Sequence, residues 1–257
     1  EGGIHMFQIV FKSMLSTSIR DKITLFYSLA FPLLLMIGLG YYFNEDYQQL
    51  QIVTGVTAIS TIFWGMQGIA FQIHVQRNRG VYKLLKLTPM PLALFIVIMV
   101  LARTFIGVLI NSVVWLVGIL AFSINVTSMA VINTCLLLIV SSLCFTSIGF
   151  VISNLARNEA QISMVSNIIQ LPMIFMSEAF YSLNNAPEWV VFIGKMLPFE
   201  HYVKGLRSLM LGESSVLLFS VGILIIYLVI AIGISILTFK WESSHEGSRR
   251  KRGKLVS

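Results

Sequence analysis

The stretch Leu92-Ala-Leu-Phe-Ile-Val-Ile-Met-Val-Leu-Ala-Arg103-Thr-Phe-Ile-Gly-Val-Leu-Ile-Asn-Ser-Val-Val-Trp-Leu-Val-Gly-Ile-Leu-Ala-Phe122 runs for 31 residues with a single charged side chain. A helix needs about 20 apolar residues to cross a hydrocarbon core of ~30 Å, so this run spans with turns to spare. Its one charge, Arg103, has two readings. If the first turns lie in the cytoplasmic interface, Arg103 snorkels there and Thr104–Phe122 spans. Otherwise its guanidinium faces an internal cavity.

Outward from this run the pattern repeats. Ile23–Phe43, Gln51–Ile73, Met129–Asn154, Ala160–Ser177 and Val216–Phe239 are also apolar enough to cross. The fifth run in chain order, Ala160–Ser177, is the weakest because it is short and holds Asn167, Gln170 and Pro172. Hydrophobic residues make up 56% of the chain, charged residues 11%, and the mean hydropathy is +0.85. A soluble domain carries about 25% charged residues, so the apolar surplus faces lipid. Cys135 and Cys144 share one run and fall on opposite helix faces, roughly 13 Å apart along the axis at ~1.5 Å per residue, too far to bridge.

Charge sets the orientation. With the N-terminus inside, 15 of the 18 Lys and Arg residues fall on the cytoplasmic side, leaving Lys195, Lys204 and Arg207 outside; the first outside loop, Asn44 to Leu50, is acidic. The reverse arrangement breaks the positive-inside rule. The net charge of +7 therefore reads as a topology signal whose partner is anionic membrane lipid, not nucleic acid. Residues Glu1 to His5 read as a vector-derived scar, with Met6 as the natural start and no cleavable signal after it. In Met6 to Arg20, Phe7, Val10, Phe11, Met14 and Leu15 stripe one face, which predicts an amphipathic helix lying in the inner membrane surface. Ser248 to Lys254 reads as a basic tail held near the same surface. The division expected is 1–5 scar, 6–22 interfacial helix, 23–240 a six-span domain in the cell membrane, and 241–257 a cytoplasmic tail.

Chemistry of its own is missing from the chain. Neither Gly194-Lys195 nor Gly253-Lys254 sits in a phosphate-binding loop, and there is no His-Glu-x-x-His. His5, His74, His201 and His245 are expected outside the spans, and Asp21 and Asp46 lie on opposite sides of the membrane. No metal, catalytic set or enzyme activity is expected, and the spans lack the buried charges of an ion-coupled carrier, with Glu178 the one exception.

Two segments suggest a function. The inside loop from His74 to Pro91 turns at Gly80, then places Val81, Leu84 and Leu85 on one side of a short helix flanked by Lys83 and Lys86 and ended by Pro89 and Pro91. Such a helix fits another protein's groove. The outside stretch from Phe175 to Arg207 holds apolar pieces too short to cross, which suit re-entrant helices.

In these segments the chain resembles permease subunits of ABC exporters of the ABC-type-2 class. Gln76, Arg77, Asn78, Arg79, Gly80, Lys86, Thr88 and Pro89 stand in the order of that family's coupling loop. Phe175, Ser177, Pro187, Trp189, Pro198, Tyr202, Leu206 and Arg207 stand in the order of its late outer motif. The resemblance implies an all-α membrane protein: six transmembrane helices, an N-terminal interfacial helix, a short cytoplasmic coupling helix, and re-entrant outer helices between spans five and six. It implies two permease chains, a second copy or a related one, resting on separate ABC ATP-binding subunits that bind ATP and Mg; no cofactor is expected in this chain. Arg77, Arg79, Gly80, Lys83, Leu84, Leu85, Lys86 and Thr88 are then the ATPase contact. Gln67, Asn167, Gln170 and Met173 are candidates for the pathway, or their polar groups only bond between helices. Pro187, Trp189, Pro198, Tyr202 and Arg207 form the outer motif. Glu178, where the family usually has Gly, either meets a cationic group on cargo or faces water at the span's outer end. The function implied is export of an amphipathic or hydrophobic compound (drug, antibiotic or lipid-like molecule), against the alternative of an ATP-independent carrier or channel.

Overall fold

The structure is a computed structural model that describes residues 11–13, 15–17, 19–20, 22–43, 45–82, 91–183, 186–213 and 215–239. Every regular element among the described residues is a helix. The first, α1 (Phe26–Tyr42), follows a short turn, Lys22–Leu25. Pro32 has no N–H to offer the Ser28 carbonyl. That carbonyl instead accepts from Ser60 Oγ at 2.5 Å. Just before the proline the backbone widens into a π-helical stretch, Phe26–Ala30, closed by the Phe31 N–H on the Phe26 carbonyl.

Helix α2 (Asp46–Asn78) also widens, over Phe63–Gly68. Single π turns of this kind bulge a helix and gather at functional sites. Helix α3 (Leu92–Ala121) starts after Pro91 and ends before a left-handed Ser123 at φ 51°. Helix α4 (Ser128–Leu155) is capped by Thr127, whose Oγ1 accepts the Ala130 N–H at 3.3 Å. Helix α5 (Glu159–Phe175) is capped by Asn158 Oδ1 on the Gln161 N–H at 2.8 Å, and stops three residues beyond its internal Pro172. Bends over 177–181 lead to α6 (Glu188–Met196) and α7 (Pro198–Met210), then α8 (Leu217–Thr238).

Lipid is as apolar as a leucine side chain, so these helices associate through close packing and interhelical bonds. One close backbone contact is α2 on α4. A Cβ on Gly149 would lie 2.4 Å from the Met66 carbonyl oxygen, and one on Gly65 would lie 3.0 Å from the Phe145 Cβ. The largest core joins Ile62 and Met66 of α2, Phe145 of α4, Phe199 and Tyr202 of α7 and Leu224 of α8. Leu218, Ile226, Val229 and Leu237 leave α8 an exposed apolar face suited to lipid. Cys135 is exposed and Cys144 buried, as opposite helix faces require.

Four helices among the described residues, α2, α3, α4 and α8, are long and apolar enough to cross a membrane. The runs expected as first and fifth spans give the shorter apolar helix α1 and the 17-residue α5. Prolines Pro32 and Pro172 interrupt both. Two expected boundaries move. Residues 46–50, expected in an outside loop, are the first turns of α2, and His74 lies in α2 rather than in the following loop. His74 is buried there, with its Nε2 2.9 Å from Asn78 Nδ2. The helix continues through Gln72, His74, Gln76 and Arg77, whose side chains are all buried against protein. Of the interfacial helix, the described residues from Phe11 to Arg20 are helical; Phe11 packs beside Tyr82 and Phe95, and Leu15 beside Trp64. The remainder of the 6–22 segment, the 1–5 segment and the 241–257 tail lie outside the described residues.

Candidate functional site

A cleft of about 480 Å³ opens between α1, α2 and α5. Tyr27, Ser28 and Phe31 come from α1, Phe63, Gln67, Gly68 and Phe71 from α2, and Asn167 from α5. Both π-helical stretches border it: Tyr27 and Ser28 lie in one, and Phe63, Gln67 and Gly68 in the other. Phe63, Gln67 and Phe71 are spaced four apart and share a helix face. Tyr27 and Phe31 stand with ring centroids 6.5 Å apart. Four aromatic rings and two carboxamides thus face the space, with no Asp, Glu, Lys or Arg among the lining residues. Ser28 is fully buried, and its Oγ has no hydrogen-bond partner among the described residues. Such a lining of aromatic rings and a few polar groups is the usual make-up of a small-molecule site, where a flat apolar body can stack.

Of the expected pathway residues, Gln67 and Asn167 meet at this cleft. Gln170 is buried behind it, with Nε2 donating to the Ile62 carbonyl at 3.4 Å, which is a bond between helices. Met173 is buried in the main core. The aromatic walls and Ser28 escaped sequence reading because phenylalanines in an apolar run look alike whether they face lipid or a cleft. Pro32 was the available signal, since a proline breaks the register of the turn before it.

Glu178 lies just beyond the C-terminal end of α5, a quarter exposed, with Oε2 3.8 Å from Arg207 Nη1. The Arg207 guanidinium also donates to the Glu178 carbonyl and, at 3.4 Å, to the Ala179 carbonyl. Glu200 Oε2 accepts the Glu178 N–H at 2.8 Å, and Lys204 Nζ sits 2.8 Å from Glu200 Oε1. Glu178 therefore belongs to an outer polar clasp. Pro187 caps α6 and Pro198 opens α7, as a missing N–H permits at a helix start. Trp189 is 60% exposed, whereas Tyr202 is buried with its hydroxyl 2.8 Å from Thr61 Oγ1.

Arg103 neither snorkels nor lines the cleft. It is 1% exposed, with its guanidinium carbon 3.7 Å from the Trp64 ring centroid and Nη1 donating to Gln72 Oε1 at 3.1 Å. Trp64 Nε1 returns a bond to the Arg103 carbonyl at 3.0 Å. Gly107 makes the room, since a Cβ there would lie 2.5 Å from the indole. The cation–π contact and hydrogen bonds outweigh the pull of the interface because the guanidinium meets a ring face and neutral acceptors inside the protein.

Beyond the C-terminal end of α2, Gly80 adopts φ +73°, a left-handed turn that favours glycine. Arg79 is exposed, while Arg77 is buried. Tyr82, fully buried, donates to Gln76 Oε1 at 2.9 Å. Burial pushes its hydroxyl far above the usual range despite the nearby Arg77 charge, which keeps it a donor. Lys83, Leu84, Leu85, Lys86 and Thr88 lie outside the described residues.

The family model described as ABC-2 type transporter matches residues 5–211. No curated protein matches the chain.

Proposed function

This chain belongs to the ABC-2 type transporter family, and from that premise we propose that it is the membrane subunit of an ATP-driven exporter of amphipathic or hydrophobic compounds, drugs, antibiotics or lipid-like molecules among them. The observation that carries the reading is the aromatic, charge-free cleft where α1, α2 and α5 meet. In this reading α1 and α5 complete six spans, α6 and α7 re-enter from the outside, and both termini face the cytoplasm of the cell membrane. The Asn167 carboxamide lies on an exposed face of α5, where lipid is a poor neighbour for it; a second permease chain closing the cleft answers that. ATP and Mg belong to a separate ATP-binding subunit, because this chain has no phosphate-cradling loop. That subunit takes the loop from Arg79 to Pro91, with Leu84 and Leu85 in its groove and Gly80 as the turn.

The test is reconstitution with the ATP-binding subunit. The chain alone is expected to hydrolyse no ATP, and the pair to hydrolyse it and move a fluorescent amphipath out of the inward-facing leaflet. Leu84→Asp with Leu85→Asp is expected to lower subunit capture at least tenfold. Intact capture by a folded double variant refutes the loop assignment, and ATP-independent flux by the chain alone favours a carrier or channel instead.

Filling the cleft gives a second expectation. Asn167→Trp should reduce flux at least tenfold while leaving subunit capture unchanged, because Asn167 belongs to α5 whereas the loop follows α2. Unchanged flux in proteoliposomes counts against the cleft as the pathway.

A further inference from the structure

The cytoplasmic ends of four helices meet in one polar and aromatic joint. From α2, Arg77 donates through Nη1 to the Ser153 carbonyl at 3.0 Å and through Nη2 to Asn154 Oδ1 at 3.1 Å. Asn154, at the end of α4, passes the link on: its Nδ2 donates to the Ser235 carbonyl and to Thr238 Oγ1 of α8, each at 3.2 Å. Beside these bonds the Phe239 ring stands 5.8 Å from Tyr82, 6.1 Å from Phe95 of α3 and 5.9 Å from Phe150 of α4. The Arg77 guanidinium carbon lies 5.9 Å from the same ring. Asn154 is 2% exposed and Ser153 1%, so water offers little competition for these bonds.

The joint sits within two residues of the left-handed turn at Gly80, through Tyr82. Its bonded groups come from α2, α3, α4 and α8; α1 and α5, two walls of the cleft, supply none of them. A carboxamide suits the central position because it accepts from a guanidinium on one side and donates to a carbonyl on the other.

We propose that Asn154 is a positioning residue that carries displacement of the 79–91 loop into α8 as well as α4. On this reading, which rests on the ATP-driven function above, α2, α3, α4 and α8 move as one body against α1 and α5, and the cleft between them opens and closes. Asn154 does not line the cleft, so its loss should separate hydrolysis from transport rather than abolish either partner's binding.

The experiment measures transported molecules per ATP hydrolysed in proteoliposomes holding the chain and its ATP-binding subunit. Asn154→Leu is expected to keep subunit capture and hydrolysis within about twofold of the parent while lowering the transport ratio at least fivefold. Asn154→Asp keeps an acceptor for Arg77 but cannot donate to the Ser235 carbonyl, and the Thr238 hydroxyl already donates to the Ile234 carbonyl at 2.7 Å, so it should lower the ratio as well. Thr238→Val, at a half-buried position that tolerates change, should lower it partially and serves where Asn154→Leu does not fold. An unchanged ratio in either folded variant overturns the proposal, as does a parallel loss of hydrolysis and flux. Failure of the parent chain to capture any ATP-binding subunit overturns the exporter reading instead.

Discussion

Gly149→Leu is expected to leave no monodisperse protein after extraction in mild detergent. Helix α4 crosses α2 at its π-helical stretch, and there the two backbones touch. A Cβ on Gly149 would lie 2.4 Å from the Met66 carbonyl oxygen, 2.6 Å from the Met66 Cα and 2.6 Å from Ile69 Cγ2. Two of those three atoms are backbone, so relief means moving a helix rather than turning a side chain. Overpacking a close core ordinarily costs about 1–3 kcal/mol, and a leucine exceeds that range where backbone is the obstacle. Gly149→Ala is the graded form: it gains up to ~1 kcal/mol of helix propensity, loses more to the clash, and should melt at lower temperature. Gly222→Leu and Gly233→Leu on α8 are the controls, since a Cβ at either meets nothing within 4 Å. Melting curves by fluorescence-detected gel filtration decide it; a Gly149→Leu protein as stable as the controls removes the contact from the account.

The second large effect is expected from Arg207→Met. Methionine keeps much of the volume and removes every donor. The carbonyls of Glu178 and Ala179 lose their partner, and so does the Glu178 carboxylate. Breaking a buried pair from one side costs about 3–5 kcal/mol; a quarter-exposed Glu178 points to the low end, about 3 kcal/mol. The bends at 177–181 should become cleavable by added protease from the outer side, while the α2–α4 core keeps its melting transition. Lys204→Met is the contrast. Its ion pair with Glu200 is an i,i+4 contact in which the lysine is 37% exposed and the glutamate 2%; the stranded Glu200 carboxylate keeps the Glu178 N–H, so the change should cost less than Arg207→Met and leave the 177–181 bends protected. Equal protease resistance of parent and Arg207→Met would mean the segment is held by packing alone, through the close approach of Gly55 to the Ala179 carbonyl and of Gly194 to the Met176 carbonyl just before it.

Sequence reading succeeded where one residue type sufficed. The long apolar runs behind α2, α3, α4 and α8 were legible because a helix that meets lipid must be apolar for its whole length. Gly80 as a turn was legible because few residues other than glycine accept its conformation. Gln67 and Asn167 stood out as carboxamides in apolar runs, and both border the cleft. Gln170 stood out for the same reason yet bonds to the Ile62 carbonyl: type alone does not say which face of α5 a side chain takes.

Arg103 states the limit most clearly. Its sequence neighbours allowed either snorkelling or an internal place, and the answer depended on Trp64, 39 positions away. The same holds for Arg77, which stood among loop residues by sequence and is bonded inside to Ser153 and Asn154.

By itself, then, the sequence determined an all-helical membrane protein, the places of its long spans and its family likeness, because hydropathy, proline and glycine act locally along the chain. Only the tertiary structure decided which charges are bonded inside, which aromatic residues wall a cleft rather than meet lipid, and how the ends of α2, α4 and α8 are tied. Those outcomes depend on contacts between residues far apart in sequence, and in an apolar solvent the helix faces that make them differ little in composition from the faces that do not.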